Sequence, residues 1–301
     1  MRTYELIIVG AGPAGITAGI YAARKGMDFI TLTGDIGGRT LFSWDMENYV
    51  GYQFVTGKEL VDKVKDHIKE FNMDIRENEQ VREILKNQKN FRLTTSKGEY
   101  EAKTVIIATG REPKTLNVKG EDKFQNKGIT YCATCDAPLF RDKSVAVVGG
   151  GNSGKHAVLQ LARIAKKTYL IEIKKDLTGD SVVVEKIKNL DNVEILTETQ
   201  IVEIYGDLLV KGIKIKRGEE IQSLDVEGIF VEMGFVPKSG IINFIDKNKD
   251  GEIIVDCKNQ TSYPGIFAAG DVTNVFAKQV IISCGEGAKA GLSAFEYINY
   301  V

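Results

Sequence analysis

The apolar run from Leu6 to Val9 is unbroken by polar residues and stops at a glycine cluster, Gly10, Gly12 and Gly15. The segment after it, ITAGIYAARKG, spaces its apolar positions at a helical period, so the pattern predicts a buried strand, a tight turn and a helix. The same order recurs downstream. Val145 to Val148 is apolar, Gly149, Gly151 and Gly154 follow, and KHAVLQLARIAKK has the helical period again.

The pattern behind each unit repeats as well. Alternating, strand-like pieces lead to an apolar strand that closes on glycine, KTVIIATG to Gly110 and VEGIFVEMG to Gly234. Between them NFRLTTSKGEYEA and GIKIKRGEEIQSLDV read as hairpins turning at Lys97-Gly98 and Arg217-Gly218. The tail GEIIVDCKNQTSYPGIFAAGDV predicts one more strand, ending at Gly270-Asp271, and GEGAKAGLSAFEYINY predicts a closing helix. The second module already has its closing strand at 229–234, so the tail is expected to return to the first. The second module is then an insertion, with crossings near 111–116 and 237–243.

Composition narrows the function. With 43% apolar residues, 27% charged and a net charge of -1, nothing favours nucleic acid or an anionic membrane, and a small molecule or a protein is the expected partner. The apolar start is interrupted by glycines and Pro13, and no window reaches the roughly 18 apolar residues of a membrane span. The chain is therefore expected to be mature and soluble. Four cysteines are too few for a disulfide scaffold, and Cys257 and Cys284 stand alone, which suits a reducing cytoplasm.

A glycine turn between strand and helix lets a pyrophosphate approach unpaired backbone amides at the positive end of the helix dipole. Two copies in that context predict two dinucleotide sites. About twenty residues beyond the second turn, TYLIEIKKD places Glu172 at the end of the next strand, where a carboxylate holds ribose hydroxyls and repels a 2'-phosphate. NADH is thus expected over NADPH, with Lys174 and Lys175 read as solvated surface charges. The first copy has no such acid: FITLTGDIGG offers Thr33, with only Asp35 close.

YCATCD sets Cys132 and Cys135 three apart with Asp136 directly after. Zinc needs four ligands, and His67, His156, Cys257 and Cys284 are single and remote. A structural disulfide closing so short a loop stabilises little. The remaining reading is dithiol–disulfide exchange, with Asp136 as proton donor and acceptor or as a turn cap. Hydride reaches a disulfide only through a two-electron intermediary, and flavin is one, so the first site is expected to hold FAD.

In this order VGAGPAG, GGRT, ATG, YCATCD, VVGGGNSG and GIFAAGD resemble the low-molecular-weight thioredoxin reductases. GGGNSG, Glu172, GEIIVD and GEGAKA bring the chain closer to the reductase module of the alkyl hydroperoxide reductase flavoprotein subunit. The resemblance implies an α/β fold of two Rossmann-like (three-layer ββα) dinucleotide-binding domains, the NAD domain inserted in the FAD domain. The expected FAD domain is 1–113 with 243–301, and the NAD(P) domain carrying the CxxC is 114–242.

By the same resemblance Gly10, Gly12, Pro13, Ala14 and Gly15 take the FAD pyrophosphate, while Gly38, Arg39, Thr40 and Asn48 approach the flavin. Asp271 holds the ribityl chain, and Thr33, Thr109, Gly110, Gly270, Lys278, Gln279 and Val280 complete the site. Gly149, Gly151, Asn152, Ser153, Gly154 and Glu172 bind NAD. Cys135 is the flavin-proximal sulfur, Cys132 attacks the partner disulfide, and Asp136 is the acid/base. The resemblance further implies a homodimer, rotation of the inserted domain about its two crossings, and a thioredoxin- or glutaredoxin-like partner that can feed a peroxiredoxin. The alkyl hydroperoxide reductase flavoprotein also has a thioredoxin-like extension; with the first fingerprint at residue 10, such a partner is expected to be a separate protein.

Two positions depart from the pattern. NADPH-using relatives carry His-Arg-Arg where this chain has Glu172-Ile173-Lys174. That favours NADH, but it also accompanies other donors, since some members use ferredoxin or deazaflavin, and a small-molecule dithiol oxidase is a further alternative. The usual GGQ is GGR here, so Arg39 either stabilises an anionic reduced flavin or is an exposed arginine bound to phosphate or solvent.

Overall fold

The computed structural model describes residues 2–43, 46–178 and 181–300. The chain divides into two units: 2–43, 49–112 and 236–300 form the first, and 46–48 with 113–235 the second.

In the first unit β1 (Thr3–Ala11) runs through the glycine turn into α1 (Pro13–Arg24), followed by β2 (Phe29–Ile36), α2 (Gly57–Glu70) and β3 (Ile75–Arg76). These three strands are parallel. β4 (Val81–Asn87), β5 (Asn90–Thr95) and β6 (Glu99–Ile107) then form an antiparallel meander, and β6 also lies parallel to β1. Leu6 and Ile8 face a layer of helices, while Ile7 and Val9 face the core shared with β4 and β5. A strand covered on both faces has no polar alternation, which is why the sequence shows an unbroken apolar run there. The chain closes the start of α2 itself: Thr56 Oγ1 accepts the Glu59 N–H (3.2 Å) and the Glu59 carboxylate accepts the Thr56 N–H (2.9 Å), a capping box.

The chain crosses over at β7 (Arg111–Pro113) and continues through α3 (Glu121–Phe124), β8 (Ile129–Thr130), α4 (Ala133–Asp136), β9 (Ser144–Val148), α5 (Asn152–Leu161), β10 (Lys167–Ile171), α6 (Ser181–Lys188) and β11 (Val193–Leu196). A separate antiparallel sheet of β12 (Thr199–Gly206), β13 (Val210–Arg217) and β14 (Glu220–Asp225) precedes β15 (Gly228–Val231). The parallel sheet is ordered β11-β10-β9-β15-β8. Val145, Val147 and Phe230 face α4, α5 and α6, whereas Ala146, Val148 and Ile229 face the β12–β14 sheet. Both units therefore have the three layers expected of them. Gly218 takes the left-handed conformation (φ 57°) at the turn predicted between β13 and β14.

The return crossing is β16 (Phe235–Pro237), which pairs with β7. It falls earlier than the expected 242/243 boundary for a packing reason. Ile242 is buried in the first unit's core, and the Ile84 N–H donates to the Ile241 carbonyl (2.8 Å). GEIIVD is not a regular strand: Ile253 is buried but makes only isolated bridges, to Lys247 and Thr273. The strand in the tail is β17 (Ile266–Ala268), parallel to the second half of β6.

The closing helix α7 (Val280–Tyr300) begins ahead of the predicted segment and lies along α1. A side chain on Gly287 would collide with the Ala14 carbonyl, and one on Gly291 would press on the Ala18 carbonyl, so small residues set the close approach of the two helices. Gly285, two residues earlier, has no atom within 4 Å of where its Cβ would stand. In thermal unfolding, Gly287→Ala is expected to cost about 1–3 kcal/mol. Gly285→Ala is expected to leave the midpoint unchanged or raise it.

Candidate active site

The first glycine turn assigns its three glycines different work. Gly10 has a left-handed backbone (φ 103°), and a Cβ there would strike the Ala108 carbonyl; a Cβ on Gly15 would strike the carbonyl of Gly10. Gly12 has an ordinary φ of -75° and no atom within 4 Å of its would-be Cβ. The chain's own packing requires Gly10 and Gly15, whereas the gap at Gly12 suits a ligand that touches the backbone. The helix start agrees. Unlike α2, α1 has no side-chain cap and no acid in its first turn, which leaves its amides for an anion.

Other expected residues gather around this turn. A Cβ on Gly38 would stand 3.3 Å from Gly12 Cα, and the Asp35 carboxylate fixes Gly38 by accepting its N–H (2.8 Å). Arg39 and buried Thr40 continue in a 3-10 helix, Gly38–Phe42, whereas Asn48 is exposed and falls in the second unit. Gly270 (φ 76°) packs on Ala14 and Ser283. Asp271 accepts hydrogen bonds from Ser283 Oγ and Arg111 Nε, both at 3.3 Å. Gln279 directly precedes α7, and Val280 opens it.

Two expected residues have their polar groups engaged within the chain. The Thr109 hydroxyl, beside Gly110 (φ 69°), donates to the Lys238 carbonyl (2.7 Å). The Lys278 ammonium pairs with Glu252 (2.9 Å) and donates to the Thr273 carbonyl. Arg111, which the sequence pattern did not single out although it directly follows Gly110, is brought to Asp271 by the fold.

The second turn repeats the first. Gly149 (φ 116°) lies against the Glu232 carbonyl, Gly154 against the carbonyl of Gly149, and Gly151 (φ -76°) faces open space. α5 likewise starts without a side-chain cap or an acid, and Asn152 and Ser153 are exposed in its first turn. The copies differ at one position. Glu172 Oε2 accepts the Gly150 N–H (2.6 Å) and Oε1 accepts the Lys174 N–H (2.9 Å). In the first copy Thr33 Oγ1 accepts the corresponding N–H, that of Ala11 (3.1 Å), and donates to the Asp35 carbonyl (2.6 Å). Thr33 thus closes the turn with a neutral group where Glu172 brings a charge.

Cys132 and Cys135 are joined in a disulfide, with Cα atoms 5.4 Å apart, across the start of α4. Cys132 is the N-cap, and its Sγ accepts the Cys135 N–H (3.2 Å), an arrangement that favours a thiolate on Cys132. Asp136 is tethered by Thr130, whose hydroxyl donates to the Asp136 carboxylate and accepts the Cys132 N–H (3.2 Å). Glu232 reaches the same turn by accepting the Ala133 N–H (3.2 Å). Neither Thr130 nor Glu232 carries a motif signal. Among the described residues no cluster of three or more His, Cys, Asp or Glu could hold a metal ion, and no helix is long and apolar enough to cross a membrane. Cys257 is exposed. Cys284 is half-buried, 3.9 Å from the Tyr49 hydroxyl, whose pKa is pushed up to about 12 by burial first and by Cys284 next.

Two dinucleotide turns and a disulfide at a helix start define a disulfide reductase of the flavoprotein class. The pyridine nucleotide-disulphide oxidoreductase family pattern matches residues 4–289, and the chain belongs to that family, which implies FAD and a nicotinamide nucleotide. The chain is similar to the F component of alkyl hydroperoxide reductase of Escherichia coli K12, at 39% identity over 98% of this chain and 58% of that protein. The corresponding protein of Staphylococcus epidermidis is 42% identical over 98% and 59%. The chain thus spans under two thirds of the length of these curated relatives. Among solved structures, thioredoxin reductase from Streptococcus pyogenes MGAS5005 superposes with a TM-score of 0.94, at 32% identity and 99% coverage of both chains. A ferredoxin-flavin thioredoxin reductase from Clostridium acetobutylicum does so at 0.54, with 32% identity and coverage of 98% and 97%.

The division of labour among the glycines is open to test by substitution. Gly12→Ala and Gly151→Ala are expected to fold within about 1 kcal/mol of the parent. Gly12→Ala should purify without flavin, and Gly151→Ala should bind nicotinamide nucleotide at least about tenfold more weakly by calorimetry. Gly154→Ala should instead lower the thermal midpoint.

Proposed function

We propose that the chain is an FAD-dependent disulfide reductase that carries electrons from NADH to the Cys132–Cys135 disulfide and on to the disulfide of a thioredoxin- or glutaredoxin-like protein. The observation that carries the reading is the disulfide itself, closed across a helix start with a backbone N–H offered to Cys132 Sγ. FAD, when bound, supplies a two-electron acceptor that takes hydride from nicotinamide and reduces sulfur. Opening the disulfide consumes two electrons and two protons. Cys132, the sulfur that the helix turn ionises, then attacks the partner disulfide. Cys135 attacks the resulting mixed disulfide at Cys132, releasing the partner as a dithiol and restoring the internal bond. Asp136, held at the turn by Thr130, moves the proton.

The nucleotide preference follows from Glu172. Each of its oxygens accepts one backbone N–H, so acceptor capacity remains for ribose hydroxyls, while its charge opposes a 2'-phosphate. Lys174 and Lys175 are exposed. The similarity to a ferredoxin-flavin thioredoxin reductase supports a second reading in which ferredoxin is the donor. The uncapped second turn supports a nicotinamide nucleotide instead. The curated relatives are named for alkyl hydroperoxide reduction, which supports a partner that passes electrons on to peroxide reduction, the peroxiredoxin role that the resemblance implies. The free thiols of Cys257 and Cys284 suit the cytoplasm, and a homodimer remains part of the proposal by family resemblance.

Added anaerobically to the FAD-loaded chain, NADH is expected to abolish the visible flavin absorbance faster than NADPH or reduced ferredoxin. Glu172→Ala should shrink the NADH preference in kcat/KM about tenfold or more. Faster loss with ferredoxin would select the second reading. Cys135→Ser should trap the partner as a mixed disulfide on Cys132, and Cys132→Ser should not. Trapping only with Cys132→Ser would reverse the order of attack.

A further inference from the structure

Glu232 directly follows β15 and is braced on three sides. Its N–H donates to the Val148 carbonyl (2.8 Å), its own carbonyl lies 2.6 Å from where a Gly149 Cβ would stand, and its Cβ is 3.7 Å from the position of a Gly154 Cβ. The side chain then reaches the redox segment, where Oε1 accepts the Ala133 N–H at 3.2 Å. Ala133 is the residue after Cys132 and the first of α4. A negative charge therefore stands at the same helix start that offers the Cys135 N–H to Cys132 Sγ. The two influences oppose each other: the N–H stabilises a thiolate, and a neighbouring carboxylate destabilises it.

We propose that Glu232 is a positioning residue whose charge sets the thiol–thiolate balance of Cys132 once the disulfide has been reduced. It keeps Cys132 less ionised than the helix turn alone would. A thiolate of higher pKa is the stronger nucleophile but a smaller fraction of the thiol is ionised, so attack on a partner disulfide is fastest when the pKa is held near the ambient pH rather than driven far below it. The proposal rests on the reading of Cys132 as the attacking sulfur. It places the control in a side chain nearly a hundred residues away, anchored on the nucleotide turn. Among the described residues, the other ionisable groups on the elements packed here are Cys135 of the reduced pair, Tyr131 and Asp136 beside it, and Lys155 and His156 on α5. All of them are unchanged between the parent and the Glu232 variants.

The test is the pH dependence of iodoacetamide alkylation at Cys132. The FAD-loaded chain is reduced with dithiothreitol, freed of it anaerobically, and read residue by residue by mass spectrometry, which keeps Cys132 apart from Cys135, Cys257 and Cys284. Glu232→Gln keeps an acceptor for the Ala133 N–H and removes the charge. Its Cys132 midpoint is expected to fall by about half a pH unit or more. Glu232→Asp is expected to stay nearer the parent. An unchanged or raised midpoint in Glu232→Gln, with the parent thermal midpoint retained, overturns the proposal and leaves Glu232 a hydrogen-bond acceptor only. The measurement needs no partner, so a chain that reduces no protein disulfide would sink the functional reading and leave this result standing.

Discussion

Everything at the two nucleotide turns depends on one steric constraint: the first turn of a helix presses its backbone against the carbonyl oxygen of the strand end that leads into it. Gly15 against Gly10 and Gly154 against Gly149 leave no room for a side chain. The helix axis is thereby aimed at the end of the parallel sheet, and its uncapped amides point at the same place. Gly12 and Gly151 face the open space that remains, and α2, with its capping box, shows how this chain closes a helix it does not need open.

On that shared frame the units diverge through single residues. Thr33 and Glu172 accept equivalent backbone N–H groups, but only Glu172 adds a charge at the strand end where a ribose is expected. The surroundings diverge too. In the first unit α7 packs on α1 through glycines and brings Ser283 and the Gly270–Asp271 turn to the first fingerprint. In the second, the redox helix α4 lies beside α5, so disulfide and nucleotide turn share one small unit. The ion pair between Arg111 and Asp271 within the first unit places a cation at the residue expected to hold the ribityl chain.

Much of this was legible in the sequence because its causes are local. A strand buried on both faces must be uniformly apolar, a left-handed turn selects glycine, and a reactive dithiol needs its cysteines within one helical turn. The two strand–turn–helix units, the hairpins at Gly98 and Gly218 and the acid at the end of β10 follow from such rules. What was not legible depends on partners distant in the chain. Glu232 reaches Ala133 across 99 residues, and Arg111 reaches Asp271 across 160. The return crossing sits at β16 rather than after Ile242 because Ile242 fits the first core, which no short pattern reveals. GEIIVD has the composition of a strand, but Ile253 is buried without a continuous ladder to join.

The central claim is that electrons entering at a nicotinamide site reach the Cys132–Cys135 disulfide. The most direct measurement is to add NADH anaerobically to the FAD-loaded chain, quench with an alkylating reagent, and locate the new thiols by mass spectrometry. The account predicts that Cys132 and Cys135 become alkylated together, at a rate that follows re-oxidation of the flavin. Loss of the flavin absorbance with the disulfide left intact would contradict it.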